Sequence, residues 1–370
     1  MTQCTMPRPL VATIDRAALT HNLARAQQLT QGAKIWAVIK ADAYGHGIAA
    51  AMQAFAAADG LALIEIENAI RLRELGWKKP ILLLEGCYAA VDWHAAAEHR
   101  LSCVIHSDEQ LSEFEATPLA RTLDIYLKFN TGMNRLGFRI ERARDLATRA
   151  TLNPGVGEIT LMTHFACADE RDGHLEQLRA FNEATNGLPF ARSVANSAAC
   201  FDFDRVGINQ AAAALSDSVR PGIMLYGATP FAHATRSAAS LKLKPAMSLT
   251  TEIIGVQTLK PGESVGYGAL YTASKNERIA VVACGYADGY PRAAGTATPV
   301  LVAGQRTHIV GRVSMDKITV DVTDIELARV GTPVELWGTQ LPVDEVAAAA
   351  GTIGYELLTA VAPRVSRHVI

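Results

Sequence analysis

The sequence predicts an α/β chain: a (β/α)8 TIM-like barrel followed by a mainly β C-terminal domain. Three observations predict it. Short apolar runs alternate with Ala-rich helical stretches over residues 12–235. Beyond that, strand-like runs divided by Gly, Pro and Asp replace the helical patterns. The 370-residue length exceeds one average domain and suits a barrel plus a smaller domain.

The candidate barrel strands are Trp36–Lys40, Leu61–Ile64, Ile81–Leu84, Ser102–Ile105, Leu123–Lys128, Ile159–His164, Arg192–Ala195 and Val219–Met224. Between them lie helical patterns such as IAAAMQAFAAA, IENAIRLRELG and HLEQLRAFNEATNG. The second of these ends on a glycine of the kind that closes a helix. Strands alternating with helices argue for parallel βαβ units, and eight such units fit a closed barrel. A doubly wound open sheet is the alternative, which periodicity alone does not separate. In residues 236–370, MSLTTEIIGVQTL, RIAVVAC, PVLVAG, THIVGRV, KITVDVT and PVELWG read as strands, several with period two. The first long helical pattern there is VDEVAAAAGTIGYELLTAV. The expected division is a barrel over 12–235 and a β domain over 236–370, joined by a strand from 1–11, with Phe231–Lys244 as the hinge.

Composition narrows the function. The chain is 49% hydrophobic and 19% charged with a formal charge of −2, an ordinary globular balance. It has no basic surplus to release counterions from nucleic acid. No uninterrupted apolar run has the roughly 18 residues that a transmembrane helix needs. The opening MTQCTMPRPLVATID lacks the charged-then-apolar order of a signal peptide. Cys4, Cys87, Cys103, Cys167, Cys200 and Cys284 are scattered with no CxxC pair, so reduced thiols in a cytoplasmic protein are expected, and no metal site.

Chemistry gathers at the expected carboxyl ends of the strands. Lys40 ends IWAVIK; there it points into the mouth where barrel active sites sit, and its amine can form a Schiff base with an aldehyde cofactor. Alone, it could equally be a solvated lysine. The fifth strand leads into LKFNTGMNRLGF with Lys128 and Arg135, the sixth into MTHFACADE with His164, the seventh into ANSAAC with Asn196 and Ser197, and the eighth region reads VRPGIMLYG with Arg220, Gly222 and Ile223. The loops after strands seven and eight are where barrels bind phosphate with backbone N–H groups. Ser197 and the Gly222–Ile223 turn suit that role, since glycine lets the backbone approach an anion closely. Asp169, Glu170 and Asp172 read as a solvated loop face, and His46 as structural support.

The runs AVIKADAYGHG, LKFNTGMNRLGF, MTHFACADE, RPGIMLYG, VGYGALYTA, GYADGYPR and GRVSMD, in this order through nearly the whole chain, resemble alanine racemases. The resemblance implies a pyridoxal 5′-phosphate barrel and a β domain in a head-to-tail homodimer that interconverts L- and D-alanine, with each site shared between two chains. It implies that Lys40 bonds the cofactor, and that Tyr44, Ser197, Gly222, Ile223 and Tyr355 hold its phosphate. Asn196 joins them in binding the cofactor, His164 lies beside the ring, and Arg220 faces the pyridine nitrogen. Arg135 and the N–H of Met315 meet the substrate carboxylate. Tyr267, Tyr286 and Met315 come from the partner subunit. Tyr286 and Arg292 line the entrance, with Arg312 and Asp316 behind them. Lys128 matches a position that is N-carbamylated in many relatives, giving an anion that can hold Arg135; the alternative is an ordinary lysine paired with a carboxylate. Departures at Phe129, Asn130, Asn134 and Tyr290 do not touch this chemistry.

The residue types suit the reaction so implied. Two bases on opposite faces, Lys40 and Tyr267, can remove the Cα proton on one side and return one on the other without moving the substrate. A free phenol titrates near 10 and is a poor base at neutral pH, so nearby positive charge must assist it. An arginine at the pyridine nitrogen stays protonated and leaves the ring a weaker electron sink, which disfavours stray transamination. The alternatives are a broad-specificity racemase, a decarboxylase of the same fold and a single-barrel binding protein. The first tends to be exported, the second would carry an acid where Arg220 stands, and the third would lack residues 236–370.

Overall fold

The computed structural model describes residues 8–30, 32–203, 216–231 and 236–370. Cys4, most of the strand expected over 1–11, and residues 232–235 of the expected hinge lie outside these residues. The first strand seen, β1 (Val11–Ile14), runs into helix α1 (Arg16–Leu29), whose N-terminus is capped by the Asp15 side chain accepting the Ala18 N–H at 3.0 Å.

Eight parallel strands then follow: β2 (Lys34–Val38), β3 (Gly60–Leu63), β4 (Ile81–Leu83), β5 (Ser102–Ile105), β6 (Leu123–Asn130), β7 (Val156–Met162), β8 (Ala191–Ser193) and β9 (Ser218–Val219). Each pairs with the next, and β9 pairs back with β2 through Ser218–Lys34 and Val219–Ile35, so the sheet closes. Closure settles the choice against an open doubly wound sheet. Strands β3, β4 and β5 are buried along their whole length, as strands covered by side chains inside and helices outside must be.

Several boundaries differ from the sequence reading. The eighth strand, expected over Val219–Met224, ends at Val219, and Ile223–Tyr226 form a turn of 3-10 helix. Pro221 has no N–H to give a neighbour, and the Gly222 N–H goes to the Ser197 hydroxyl, so the ladder stops. The apolar run IMLY is fully buried, which gave it a strand-like look. Lys40 and His164 likewise lie just past their strands, on the loops of the mouth. The long helical pattern near residue 350 divides into Val343–Ala349 and Gly354–Ala360.

The second sheet is built around β10 (Met247–Leu259), a strand long enough to pair with different neighbours along its length. With β11 (Glu277–Val282), β12 (Pro299–Val302), β13 (Gln305–His308), β14 (Ile318–Asp321), β15 (Pro333–Trp337) and β16 (Ser366–Val369), the order is β13-β12-β15-β10-β1-β16; β11 pairs with β10, and β14 with β11. Strand β1 thus lies in this sheet and not in the barrel, antiparallel to β10 and parallel to β16. The described cysteines are free thiols, all buried except Cys167. Among the described residues no helix is long and apolar enough to cross a membrane.

Candidate active site

The site begins where β2 ends. From Ala41 to Tyr44 the backbone takes four successive left-handed conformations, with φ between 50° and 54°. Each such residue costs about 1–2 kcal/mol relative to the right-handed form, so the turn must be held from outside. Asp42 accepts the Ile48 N–H at 3.0 Å, and Arg367 of β16 donates to the Gly45 carbonyl at 3.1 Å. The His46 ring faces two carbonyls, Tyr44 at 2.8 Å and Ala43 at 3.1 Å, through Nδ1. A nitrogen facing carbonyls must donate, which fixes the tautomer. Burial pushes His46 down to about 4, so the ring is neutral at physiological pH. The turn presents Lys40 on one side and Tyr44 on the other. The Tyr44 ring stacks on Tyr226 with centroids 4.6 Å apart, and the Tyr226 hydroxyl donates to the Val38 carbonyl at 2.8 Å.

Tyr44 points to a cradle made after β8 and β9. Asn196 caps the short helix Ser197–Phe201 by accepting the Ala199 N–H at 3.2 Å, and its amide donates to the Phe165 carbonyl at 3.3 Å. Its side chain is thereby occupied with positioning Ser197. The Ser197 hydroxyl accepts the Gly222 N–H at 2.8 Å. A Cβ at Gly222 would stand 2.4 Å from the Tyr44 hydroxyl oxygen, so only glycine leaves that space open. Ile223 is fully buried at the start of the 3-10 turn, and the Tyr355 ring lies 6.1 Å from that of Tyr44. Burial raises both phenols, so both keep their protons as donors.

Basic groups crowd the floor of the mouth. Arg220 is buried and donates to the Ser193 hydroxyl at 2.6 Å and the Thr163 carbonyl at 2.7 Å, bonds that fix the plane of its guanidinium. Burial lowers it to about 10, so it remains a cation. Lys128 is lowered to about 8 by burial and then by Arg220 and Arg135. Burial, Arg220, Lys128, Arg135 and Lys40 all press His164 well below its ordinary value, so it is neutral. Lys40 is lowered by burial and by Arg135, while Glu85 and Glu65 pull the other way. Mutually repelling cations around an amine, beside a hydroxyl-and-amide cradle, fit a ligand with an aldehyde, a phosphate and a carboxylate: the amine can bond the first, the cradle and cations can hold the others. The donor set therefore fits pyridoxal phosphate with an amino acid.

His46 supports the turn, as its place in AYGHG suggested; sequence reasoning missed Arg367, Glu65 and Glu85. Glu85 follows β4 in ILLLEG and satisfied the same strand-end rule that singled out Lys40. Arg367 carried no signal, since its role depends on the Gly45 backbone carbonyl, which no sequence displays.

The remaining candidates lie on the second domain. Tyr267 is 72% exposed, Met315 53% and Tyr286 39%. The Tyr286 and Ala287 N–H groups donate to the Ser314 and Met315 carbonyls at 3.1 and 3.0 Å, which joins two loops. The Arg292 guanidinium lies 5.9 Å from the Tyr286 ring, and Arg312 approaches Gly268, next to Tyr267. Asp316 pairs with Arg364. Among the described residues no hydrogen bond or ion pair joins this group to Lys40, Tyr44 or Arg220.

A closed barrel presenting a lysine on a strained turn, with a β domain carrying a second set of exposed candidates, defines a two-domain barrel enzyme. The family models for the N-terminal and C-terminal domains of alanine racemase match residues 14–230 and 246–369. An alanine racemase from Janthinobacterium sp. is 54% identical over 97% of this chain and 98% of its own length. A catabolic alanine racemase from Klebsiella aerogenes is 50% identical over 97% of this chain and 99% of its own. The crystal structure of the biosynthetic alanine racemase from Pseudomonas aeruginosa superposes with a TM-score of 0.92 at 47% identity, covering 98% of this chain and 99% of that one. The chain belongs to the alanine racemase family and is an enzyme of the racemase class.

Proposed function

We propose that this enzyme interconverts L- and D-alanine with pyridoxal 5′-phosphate held on Lys40, working as a homodimer whose sites are shared between subunits. The observation that carries this reading is the group of cations around Lys40 beside the Tyr44–Ser197–Gly222 cradle, a charge surplus that calls for an anionic cofactor and an anionic substrate. When bound, the cofactor supplies an electron-withdrawing ring that acidifies the substrate Cα–H.

The protein's groups do the rest. Tyr44, Ser197, Gly222, Ile223 and Tyr355 hold the phosphate, with Asn196 fixing Ser197. With the cofactor bound, Arg220 would donate to the ring nitrogen and His164, neutral, would lie beside the ring. Arg135 and the N–H of Met315 of the partner subunit hold the substrate carboxylate. Once the substrate amine has replaced the Lys40 amine on the cofactor, the freed Lys40 would take or return the Cα proton on one face, and Tyr267 of the partner subunit would serve the other; one proton leaves Cα and one arrives, so the product differs only in hand. The exposure of Tyr267, Tyr286 and Met315 in the single chain supports their being covered by a second one. Tyr286 and Arg292 then frame the entrance, backed by Arg312 and Asp316. The depressed amine of Lys128 supports carbamylation: its free base attacks carbon dioxide, an N–C bond forms, a proton leaves, and the resulting anion faces Arg135.

D-alanine for peptidoglycan in the cytoplasm is the role we assign, with alanine catabolism as the other outlet; one relative is named biosynthetic and another catabolic. Incubation of the cofactor-loaded protein with L-alanine, followed by chiral separation, is expected to yield D-alanine, with Lys40→Ala inactive. Absence of D-alanine from the intact protein overturns the reading.

A further inference from the structure

A buried carboxylate lies in the second domain, outside every role given above. Asp288 is 1% exposed, and burying a carboxylate is costly unless its oxygens find partners. Two guanidinium groups pair it. Arg8, which precedes the barrel sequence, and Arg364, which follows it, both donate to Oδ1, the latter at 2.7 Å. The other oxygen, Oδ2, accepts the Gly285 N–H at 2.8 Å.

Each arginine has a second arm, and both second arms reach residue 316. Arg8 Nη2 donates to the Asp316 carbonyl at 2.8 Å, and Arg364 Nη2 donates to the Asp316 carboxylate at 2.5 Å. Residues 288 and 316 are thereby tied together, and they stand beside Tyr286 and Met315. The two loops so joined are in close contact: a Cβ at Gly285 would stand 2.4 Å from both the Ser314 and the Met315 carbonyl oxygens. The buried end of the knot is locked while Tyr286 and Met315 project outward.

We propose that Asp288, with Arg8 and Arg364, forms a positioning device that sets the Met315 N–H and the Tyr286 ring at the spacing that substrate capture requires. The inference rests on the reading above that Tyr286 and Met315 face alanine in the partner's site. Its logic is geometric. A guanidinium is a rigid fork that can grip two acceptors at once, so each arginine fixes a distance between the loops and not merely a charge balance. A lysine could neutralise Asp288 but would hold one loop only.

The test compares Arg8→Ala, Arg364→Ala, Arg364→Lys and Asp288→Asn with the unmodified holoenzyme, at protein concentrations where each is dimeric. KM for L-alanine is expected to rise about fivefold or more in the alanine variants while kcat moves less than about twofold, because uniform substrate binding is lost and the two bases are untouched. Arg364→Lys should restore the melting temperature more than it restores KM. Should Asp288→Asn fail to fold, Arg8→Ala carries the test, since Arg8 is one third exposed and loses only its own tethers. An unchanged KM, whatever the melting temperature does, makes the knot a structural brace and overturns the proposal. An unmodified enzyme that forms no D-alanine overturns the reading of function; one that does, beside variants with unmoved KM, overturns this inference alone.

Discussion

Lys128 shows how burial prepares a side chain for chemistry before any ligand arrives. Its amine is lowered from 10.5 to about 8, by burial first and Arg220 and Arg135 next. In the unfolded chain the same amine holds its proton up to its ordinary value. Between those two values the folded state binds fewer protons, so folding stability gains as pH rises through that window; below about 8 both states are protonated and the penalty is complete. Denaturation in bicarbonate-free buffer near pH 7.5 and near pH 9.5 should show the unmodified protein gaining stability relative to Lys128→Met. Equal pH responses would contradict the depressed amine. At this scale the sequence was legible where a residue sat inside a distinctive run, as Lys40, His164 and Arg220 do. It was opaque where a residue works through a distant carbonyl or carboxylate. Asp288 sits within GYADGY and was passed over, because nothing in that run says that Arg8 and Arg364 converge on it.

Among elements, the left-handed turn after Lys40 carries the most strain. Four positive φ values in a row, without a glycine among them, persist because His46, Asp42 and Arg367 hold the segment from three sides. Ala41 is exposed and makes the mildest probe. A β-branched side chain is less compatible with φ near 52° than alanine, so Ala41→Val should cost about 1–2 kcal/mol of stability and displace Lys40. Thermal unfolding together with the absorbance of bound cofactor checks this; a variant as stable as the parent, with normal absorbance, would mean that the turn is not strained. The strand-to-helix alternation was plain in the sequence because each barrel unit repeats the same burial pattern. The eighth strand was overextended because Ile223–Tyr226 is as apolar as a strand; Pro221 in the sequence and the Gly222–Ser197 bond in the structure mark where it stops.

The two halves of the proposed site are separated within one molecule. Lys40 stands in the barrel mouth, while Tyr267, 72% exposed, stands on the β domain. If each site unites Lys40 of one chain with Tyr267 of the other, two inactive variants should complement. In a Lys40→Ala and Tyr267→Ala hybrid, one site carries both lesions and the other carries neither. Random pairing of equal amounts makes half of the dimers hybrid, so co-refolded mixtures should recover about a quarter of the unmodified activity. No recovery in mixtures shown to contain hybrids would place both bases on one chain. Separation on this scale could not be read from spacing along the sequence, which places VGYGALYTA far from AVIKADAYGHG but does not reveal which copy of the chain closes the gap.

Strand β1 is made before the barrel, and its neighbours β10 and β16 are made after it. On the ribosome the first strand therefore waits, unpaired, while the whole barrel is synthesised beside it. A barrel can close as soon as β9 emerges, but the second sheet cannot fill the gap between β10 and β16 until nearly all of the described chain is out. The Arg8–Asp288–Arg364 knot closes at the same moment. The loops that carry Tyr286 and Met315 are thus fixed last; if they face a second subunit as proposed, a half-made chain has no finished surface with which to pair prematurely.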